Sequence, residues 1–103
     1  MSRRKGQLSP TMIDHGWPHQ VAVQADRCSG ANHAIMRDFC TELSLCRLGH
    51  SVFYEDQWWR VFCFADAAHA ALFRKAFAGE PFDPRERGRG SSWARWHKGT
   101  RSK

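Results

Sequence analysis

The chain has 103 residues, which fits a single domain, and its 16 basic and 10 acidic side chains give a formal net charge of +6. It contains no apolar run of about eighteen residues and no secretory signal, so we expect a cytoplasmic protein without a membrane-spanning segment. In that reducing compartment the four cysteines are expected to be free thiols.

The positive charge is concentrated at the C-terminal end. Residues 85–103 hold seven basic side chains and one acid, whereas residues 16–84 hold six basic and eight acidic ones, and residues 1–15 add a net charge of +2. Charge segregated in this way indicates a partner more than a fold. We therefore divide the chain into a flexible basic N-terminal arm (1–16), an α+β domain (17–84) and a basic Arg/Gly/Trp tail (85–103).

The first half of the domain predicts a strand followed by a helix. Residues 17–24 end in an alternating pattern that is typical of a half-buried strand. Ser29 is the predicted N-cap of a helix that runs from residue 31 to about residue 45. Within this helix, the apolar row predicted to face the core is Ile35, Phe39 and Leu43, with Met36 and Cys40 beside it.

The second half predicts a hairpin and a second helix. Residues 51–54 and 58–65 are rich in β-branched and aromatic side chains, and a short polar connection separates them. Asp66 is predicted to cap a helix over residues 67–78, which Gly79 ends.

The last strand has two predicted positions. Residues 80–84 form one, although Pro81 and Pro84 lack amide donors, and residues 91–98 form the other. With either, the order is strand, helix, strand, strand, helix, strand. We therefore expect a small α+β domain of the split βαβ, ferredoxin-like pattern, with two helices on one face of an antiparallel sheet and the other face open.

The third predicted strand, residues 58–65, is apolar on both sides of the pleat, which is typical of a strand buried on both faces. Because the helices cover one side only, the other side must meet solvent, a partner or the chain's own tail. One side shows Trp58, Arg60, Phe62 and Phe64, and the other shows Trp59, Val61, Cys63 and Ala65.

The position of this strand resembles that of the third strand of RNA-recognition motifs, whose open aromatic sheet face stacks bases. The likeness is one of fold pattern and not of family. Gln57, Trp58 and Val61 stand where that motif has a basic residue, a glycine and a second stacking aromatic, and the first strand supplies no aromatic.

The tail predicts a nucleic-acid-binding segment, with RNA or single-stranded DNA as the favoured partner. Guanidinium groups pair with phosphate, glycines leave the backbone free to follow a strand, and indole rings stack on bases. An alternative is that Trp93 and Trp96 pack on the sheet. The residues predicted to contact nucleic acid are Arg85, Arg87, Arg89, Trp93, Arg95, Trp96 and Lys98 from the tail, with Trp59 from the sheet.

Two other classes of function stay open. One is a homodimeric protein–protein interaction domain with an acidic partner, whose interface on the open sheet face includes Trp59, Val61 and Cys63. The other is a small ferredoxin-like enzyme or ligand binder with a pocket near His50, Tyr54 and Cys28.

No catalytic residue, cofactor or metal site is predicted. Neither Cys46 and His50 nor His15 and His19 resemble a paired-ligand motif, because Gly49, Gly16 and Pro18 interrupt the helical spacing. The favoured interpretation is therefore a non-enzymatic binding module.

Overall fold

The computed structural model describes residues 9–88 and 90–98. Residues 1–8, Arg89 and residues 99–103 lie outside this description. Three short 3₁₀ turns lie at Ala25–Arg27, Pro84–Glu86 and Gly90–Ser92. The helices and strands are, in chain order, α1 (Pro10–Gly16), β1 (His19–Gln24), α2 (Ala31–Phe39), β2 (His50–Tyr54), β3 (Gln57–Phe64), α3 (Ala67–Phe77) and β4 (Glu80–Phe82).

The four strands form one antiparallel sheet in the order β2-β3-β1-β4. The central strands β1 and β3 pair from His19 opposite Phe64 to Gln24 opposite Trp59. The predicted α+β fold with an antiparallel sheet is confirmed, and the order of elements from β1 to β4 agrees with the split βαβ pattern. Of the two segments considered for the last strand, the one that contains Pro81 forms β4.

Both longer helices pack on the same face of the sheet. The alternation of β1 and β3 points every second side chain to this face. The aromatic centre is Phe73 of α3, whose ring lies 4.7 Å from that of Phe62 and 5.3 Å from that of Phe64. The buried residues of this helix-side core are Val21, Val23, Cys28, Met36, Cys40, Phe62, Phe64, Ala70 and Phe73.

Helix α2 is shorter than predicted, and a different row of residues faces the core. It ends at Phe39, and Gly30 rather than Ser29 precedes its first turn. Met36 is buried, whereas Ile35 is 57% exposed. Met36 and Cys40, predicted beside the row, are buried, but the placement of Ile35 and Phe39 towards the core was wrong, because periodicity fixes the spacing of a helix and not which of two neighbouring apolar rows meets the sheet.

The second face of the sheet is covered by the two ends of the described chain. Helix α1 falls within the segment that we predicted as a flexible arm. Ser9 caps it by accepting from the amide of Met12, Pro10 occupies its first turn, and its Ile13 is buried. This second core consists of Ile13, Ala22, Cys46, Val52, Trp59, Val61, Cys63, Phe82 and Trp96.

The C-terminal segment, residues 84–88 and 90–98, begins after β4, and its residues 94–96 pair with the outer edge of β2. Phe53 donates from its amide to the carbonyl of Ala94 at 2.7 Å and accepts from the amide of Trp96 at 3.0 Å. These bonds form a parallel bridge between Phe53 and Arg95. The sheet is therefore extended by a short fifth stretch of chain, and the face predicted to be open is closed by the chain itself.

The predicted hairpin of β2 and β3 turns through Glu55 and Asp56. Both residues have positive φ, 52° and 64°. Two left-handed residues in succession match the twist of a two-residue hairpin turn, for which Asn-Gly is the usual sequence. The turn therefore carries two exposed acids in a conformation that glycine would adopt more readily.

Candidate nucleic-acid interface

Trp96, which we predicted to stack on bases, is buried. Its side chain is 2% exposed, and its ring lies 5.3 Å from that of Trp59 and 5.2 Å from that of Tyr54. The indole Nε1 donates to Oε1 of Glu86 at 3.0 Å. The ring therefore fills the second core, and stacking on a base would require the C-terminal segment to leave the sheet.

Trp59 and Trp93 are also engaged within the protein. Trp59 is buried and donates from Nε1 to the carbonyl of Tyr54. The half-buried ring of Trp93 packs edge-on against His50 at 5.4 Å, and the guanidinium of Arg87 lies 4.5 Å from the centre of the indole. Trp59 is therefore covered, and Arg87 occupies one face of Trp93.

Arg87 is the centre of a polar network that joins the C-terminal segment to α1 and β2. Its Nη1 donates to Oδ2 of Asp14 at 2.8 Å, and its Nη2 donates to Nε2 of His50 at 2.6 Å. The amide Nε2 of Gln20 donates to the other carboxylate oxygen of Asp14, Oδ1, at 3.0 Å. Burial, and next the charge of Arg87, lower the pKa of His50 to about 4, so this imidazole is neutral and accepts.

The other predicted cations differ in what they contact. Lys98 pairs with Glu80 at 3.1 Å, and Arg85 makes two hydrogen bonds to the carboxylate of Asp83. The hydrogen bond to Asp83 raises the pKa of Arg85 above its ordinary value. Arg89 lies outside the described residues. Arg95 is exposed and makes no ion pair within the described part of the chain.

A surface that we did not predict forms on the helix side of β2 and β3, beyond the cover of the helices. Trp58 is 49% exposed, and its ring packs edge-on against that of Phe53 at 5.2 Å. Arg60 follows on the same face of β3, and Arg95 is bridged to Phe53, which places it on this face. We refer to Phe53, Trp58, Arg60 and Arg95 as the aromatic–arginine surface.

One signal in the sequence pointed to this surface. Arg60 lies on the same side of β3 as Trp58, and an unpaired arginine is rarely buried. That side of the strand is therefore covered at Phe62 and Phe64 but open at Trp58. The position of Arg95 on this surface could not be predicted from the sequence, because the pairing that brings it to β2 involves backbone atoms only.

The predicted small-molecule pocket near His50, Tyr54 and Cys28 is not formed as one site. His50 and Tyr54 contact the second core, whereas Cys28 belongs to the helix-side core on the opposite face of the sheet. Burial raises the pKa of the Cys28 thiol, which reduces its nucleophilicity at neutral pH.

Ser44, His69 and Asp66 bring a hydroxyl, an imidazole and a carboxylate together at the start of α3. Ser44 Oγ lies 2.9 Å from Nδ1 of His69, and Nε2 of His69 lies 3.8 Å from Asp66. However, Ser44 Oγ accepts from the amides of Ala65 and Asp66, and Asp66 accepts from the amide of Ala68 as the cap of α3. The hydroxyl of Ser44 thus connects the segment after α2 to the start of α3, so we assign these three residues a structural role.

Comparison of the chain with family models, with curated proteins and with solved structures gives no match. Within residues 9–88 and 90–98, no cluster of three His, Cys, Asp or Glu side chains has the arrangement of a metal site. No helix in the same ranges has the length and apolar character needed to cross a bilayer. The function is therefore inferred from the geometry of the surface itself.

Proposed function

We propose that this protein is a small non-enzymatic module that binds single-stranded RNA or DNA on the aromatic–arginine surface. The observation that carries the proposal is Trp58, which is half exposed although it lies within a β-strand and has an arginine two residues along the same face. Exposed aromatic rings next to cations are the combination that binds single strands without strict sequence preference.

Trp58 supplies the stacking face. Its edge-on contact with Phe53, at an interplanar angle of 66°, restrains the indole ring. Binding of a base therefore costs little side-chain conformational entropy. Stacking of a base on an aromatic side chain contributes about 1–3 kcal/mol and tolerates any base, because every base has a π-face.

Arg60 and Arg95 supply the phosphate contacts. Arg60 lies two residues from Trp58 on the same face of β3, a separation of roughly 7 Å along a strand. Arg95 is held beside Phe53 by the backbone bonds of the C-terminal segment. A base on Trp58 would therefore have a guanidinium group along β3 and another across β2, and both form charge-assisted hydrogen bonds with phosphate oxygens.

The acidic turn at Glu55 and Asp56 is expected to determine the direction in which a bound strand crosses the surface. It lies beyond Trp58 at the end of the hairpin, on the side away from Arg60. Carboxylates repel a phosphate backbone, so the strand is expected to leave Trp58 towards Arg60 rather than over the turn.

The C-terminal tail has a narrower part in this proposal than the sequence predicted. It positions Arg95, while Trp96 packs on Trp59 and Arg87 bonds His50, and these contacts attach the segment to the sheet. Contacts from Arg85, Arg89 and Lys98 to phosphate remain a prediction, and base stacking by Trp59, Trp93 or Trp96 is not used.

The test is titration of short fluorescent oligouridylate and oligothymidylate, followed by anisotropy, with wild type and Trp58→Ala. We expect both oligomers to bind at low salt and the variant to bind about 5- to 150-fold more weakly. If Arg60 and Arg95 each neutralise one phosphate, the log–log dependence on salt has a slope of about −1.4.

Matched controls separate the surface from general effects. Leu72→Ala removes an exposed apolar side chain from α3, and Arg74→Gln removes an exposed charge from the same helix. Both variants should bind like wild type, whereas Arg60→Gln should bind more weakly. Equal affinities of wild type and Trp58→Ala, or no binding of either oligomer at low salt, would contradict the proposal.

A further inference from the structure

A small basic pocket lies beside the aromatic–arginine surface, between α2 and the loop that precedes β2. Its volume is about 60 Å³. A space of this size accommodates a single tetrahedral oxyanion. The polar side chains that line it are His33 and Arg37 from α2, Arg47 from the loop and Arg60 from β3.

The charge of the pocket has one sign. Three of its lining residues are arginines, and its lining within the described part of the chain includes no Asp or Glu. Arg37 and Arg60 form no ion pair with any described residue. Like charges that face a common space repel one another, and an anion placed between them removes that repulsion and accepts their hydrogen bonds.

The backbone fixes the elements that carry these arginines. His33 and Arg37 are one helical turn apart and therefore lie on the same face of α2. The loop is tied to β3 because Cys46 donates from its amide to the carbonyl of Cys63 at 2.8 Å. At Gly49 an added Cβ would lie 2.8 Å from the carbonyl oxygen of Val61, so glycine is what allows the loop to lie this close to the strand.

We propose that this pocket binds one phosphate group and that, when a single strand is bound, it takes the backbone phosphate next to the base on Trp58. The assignment to a backbone phosphate rests on the proposed function, whereas the binding of a phosphate group does not. Arg60 connects the two sites, because it lines the pocket and lies two residues from Trp58 on the same face of β3. This spacing is comparable with the span from a base to a neighbouring phosphate.

The first experiment uses inorganic phosphate alone. Its addition at constant ionic strength, with chloride as the reference salt, should produce saturable NMR shifts of the arginine Nε–H signals of the pocket and of the amides of residues 45–49. Arg37→Gln should weaken phosphate binding about tenfold, since it removes a hydrogen bond between charged groups. Arg74→Gln, which removes an exposed helical arginine elsewhere, should bind phosphate like wild type.

Arg37 is exposed on α2, so the Arg37→Gln variant is expected to keep the fold, which its thermal midpoint checks. Shifts that chloride reproduces, or phosphate binding that is unchanged in Arg37→Gln, would show that the pocket is not a phosphate site.

The second experiment identifies the source of the phosphate. If it belongs to nucleic acid, Arg37→Gln should weaken the binding of both oligonucleotide and inorganic phosphate, whereas Trp58→Ala should weaken only the binding of the oligonucleotide. If wild type binds phosphate specifically but no oligonucleotide, the proposed function fails and the pocket is assigned to a small phosphorylated molecule. If oligonucleotide binds equally to wild type and Arg37→Gln, the placement of a backbone phosphate in the pocket is wrong.

Discussion

Arg87 donates to the carboxylate of Asp14 at 2.8 Å, so two residues from opposite ends of the chain form an ion pair on the second face of the sheet. The Arg87 side chain is only 5% exposed. Because α1 carries Asp14 and the C-terminal segment carries Arg87, this contact joins the two elements that cover the second core. Loss of the pair would affect both covers together.

Asp14→Asn tests this connection. It keeps the shape of the side chain but leaves the buried guanidinium of Arg87 without a counter-charge, and Asp14 itself is partly exposed. We expect unfolding in urea to show a loss of about 2 kcal/mol. Glu80→Gln, which breaks the half-exposed pair with Lys98, should cost less than about 1 kcal/mol. Equal losses of unfolding free energy in the two variants would show that the buried pair contributes no more to stability than the half-exposed one.

His50 makes the stability of the fold depend on pH. Its pKa is lowered from an ordinary value of 6.5 to about 4, first by burial and then by Arg87. Between these values the unfolded chain binds a proton that the folded protein does not. The contribution, at most about 3 kcal/mol, is therefore fully present above pH 6.5 and is lost as the pH falls towards 4.

The measurement is the free energy of unfolding in urea as a function of pH, for wild type and His50→Gln. The difference between the two proteins should change between pH 6.5 and pH 4, because only wild type carries the imidazole. Parallel curves across this range would refute the assignment of this pH dependence to His50.

Two neighbouring residues after α3 should respond to substitution with opposite signs. Ala78 has a φ of +53°, so Ala78→Gly should stabilise the fold by about 0.5–1 kcal/mol. At Gly79 an added Cβ would lie 2.5 Å from Cγ1 of Val21, and Gly79→Ala should destabilise by about 1–3 kcal/mol. Thermal midpoints report both changes, and shifts of the same sign would show that the chain leaves α3 differently.

The cysteines should react slowly with a thiol reagent in the folded protein. All four are free and buried, and burial raises the pKa of Cys40 to about 11 and that of Cys63 to about 12. Ellman's reagent should therefore label native protein far more slowly than protein in denaturant, where all four thiols react at once. A thiol that reacts immediately in native protein would be one that the fold does not cover.

Local patterns in the sequence predicted the framework of the fold because its elements depend on near neighbours. Period-two alternation predicted β1, the richness in β-branched and aromatic residues predicted β2 and β3, and Asp66 and Gly79 predicted where α3 begins and ends. The apolar character of β3 on both sides also indicated that the second face needed a cover.

What the sequence could not predict depends on contacts between distant residues. Nothing near Arg87 indicates that it is buried, because its counter-charge is Asp14 at the other end of the chain. Likewise, Ile35 and Met36 are equally apolar, and only the docking angle of α2 decides which is buried. The aromatic–arginine surface was missed for this reason, since its Arg95 reaches β2 through backbone hydrogen bonds.

The backbone pairing of Phe53 with residues 94–96 also affects how copies of this protein meet one another. An unpaired edge strand rich in aromatic and β-branched residues, such as Val52, Phe53 and Tyr54, is a template for intermolecular strand addition and fibril growth. At the opposite edge, Pro81 limits pairing with a further strand. Protection against aggregation is thus divided between Pro81 at one edge of the sheet and residues 94–96 at the other. Proteolytic removal of residues 94–96 is expected to expose the edge of β2 and to promote edge-to-edge assembly.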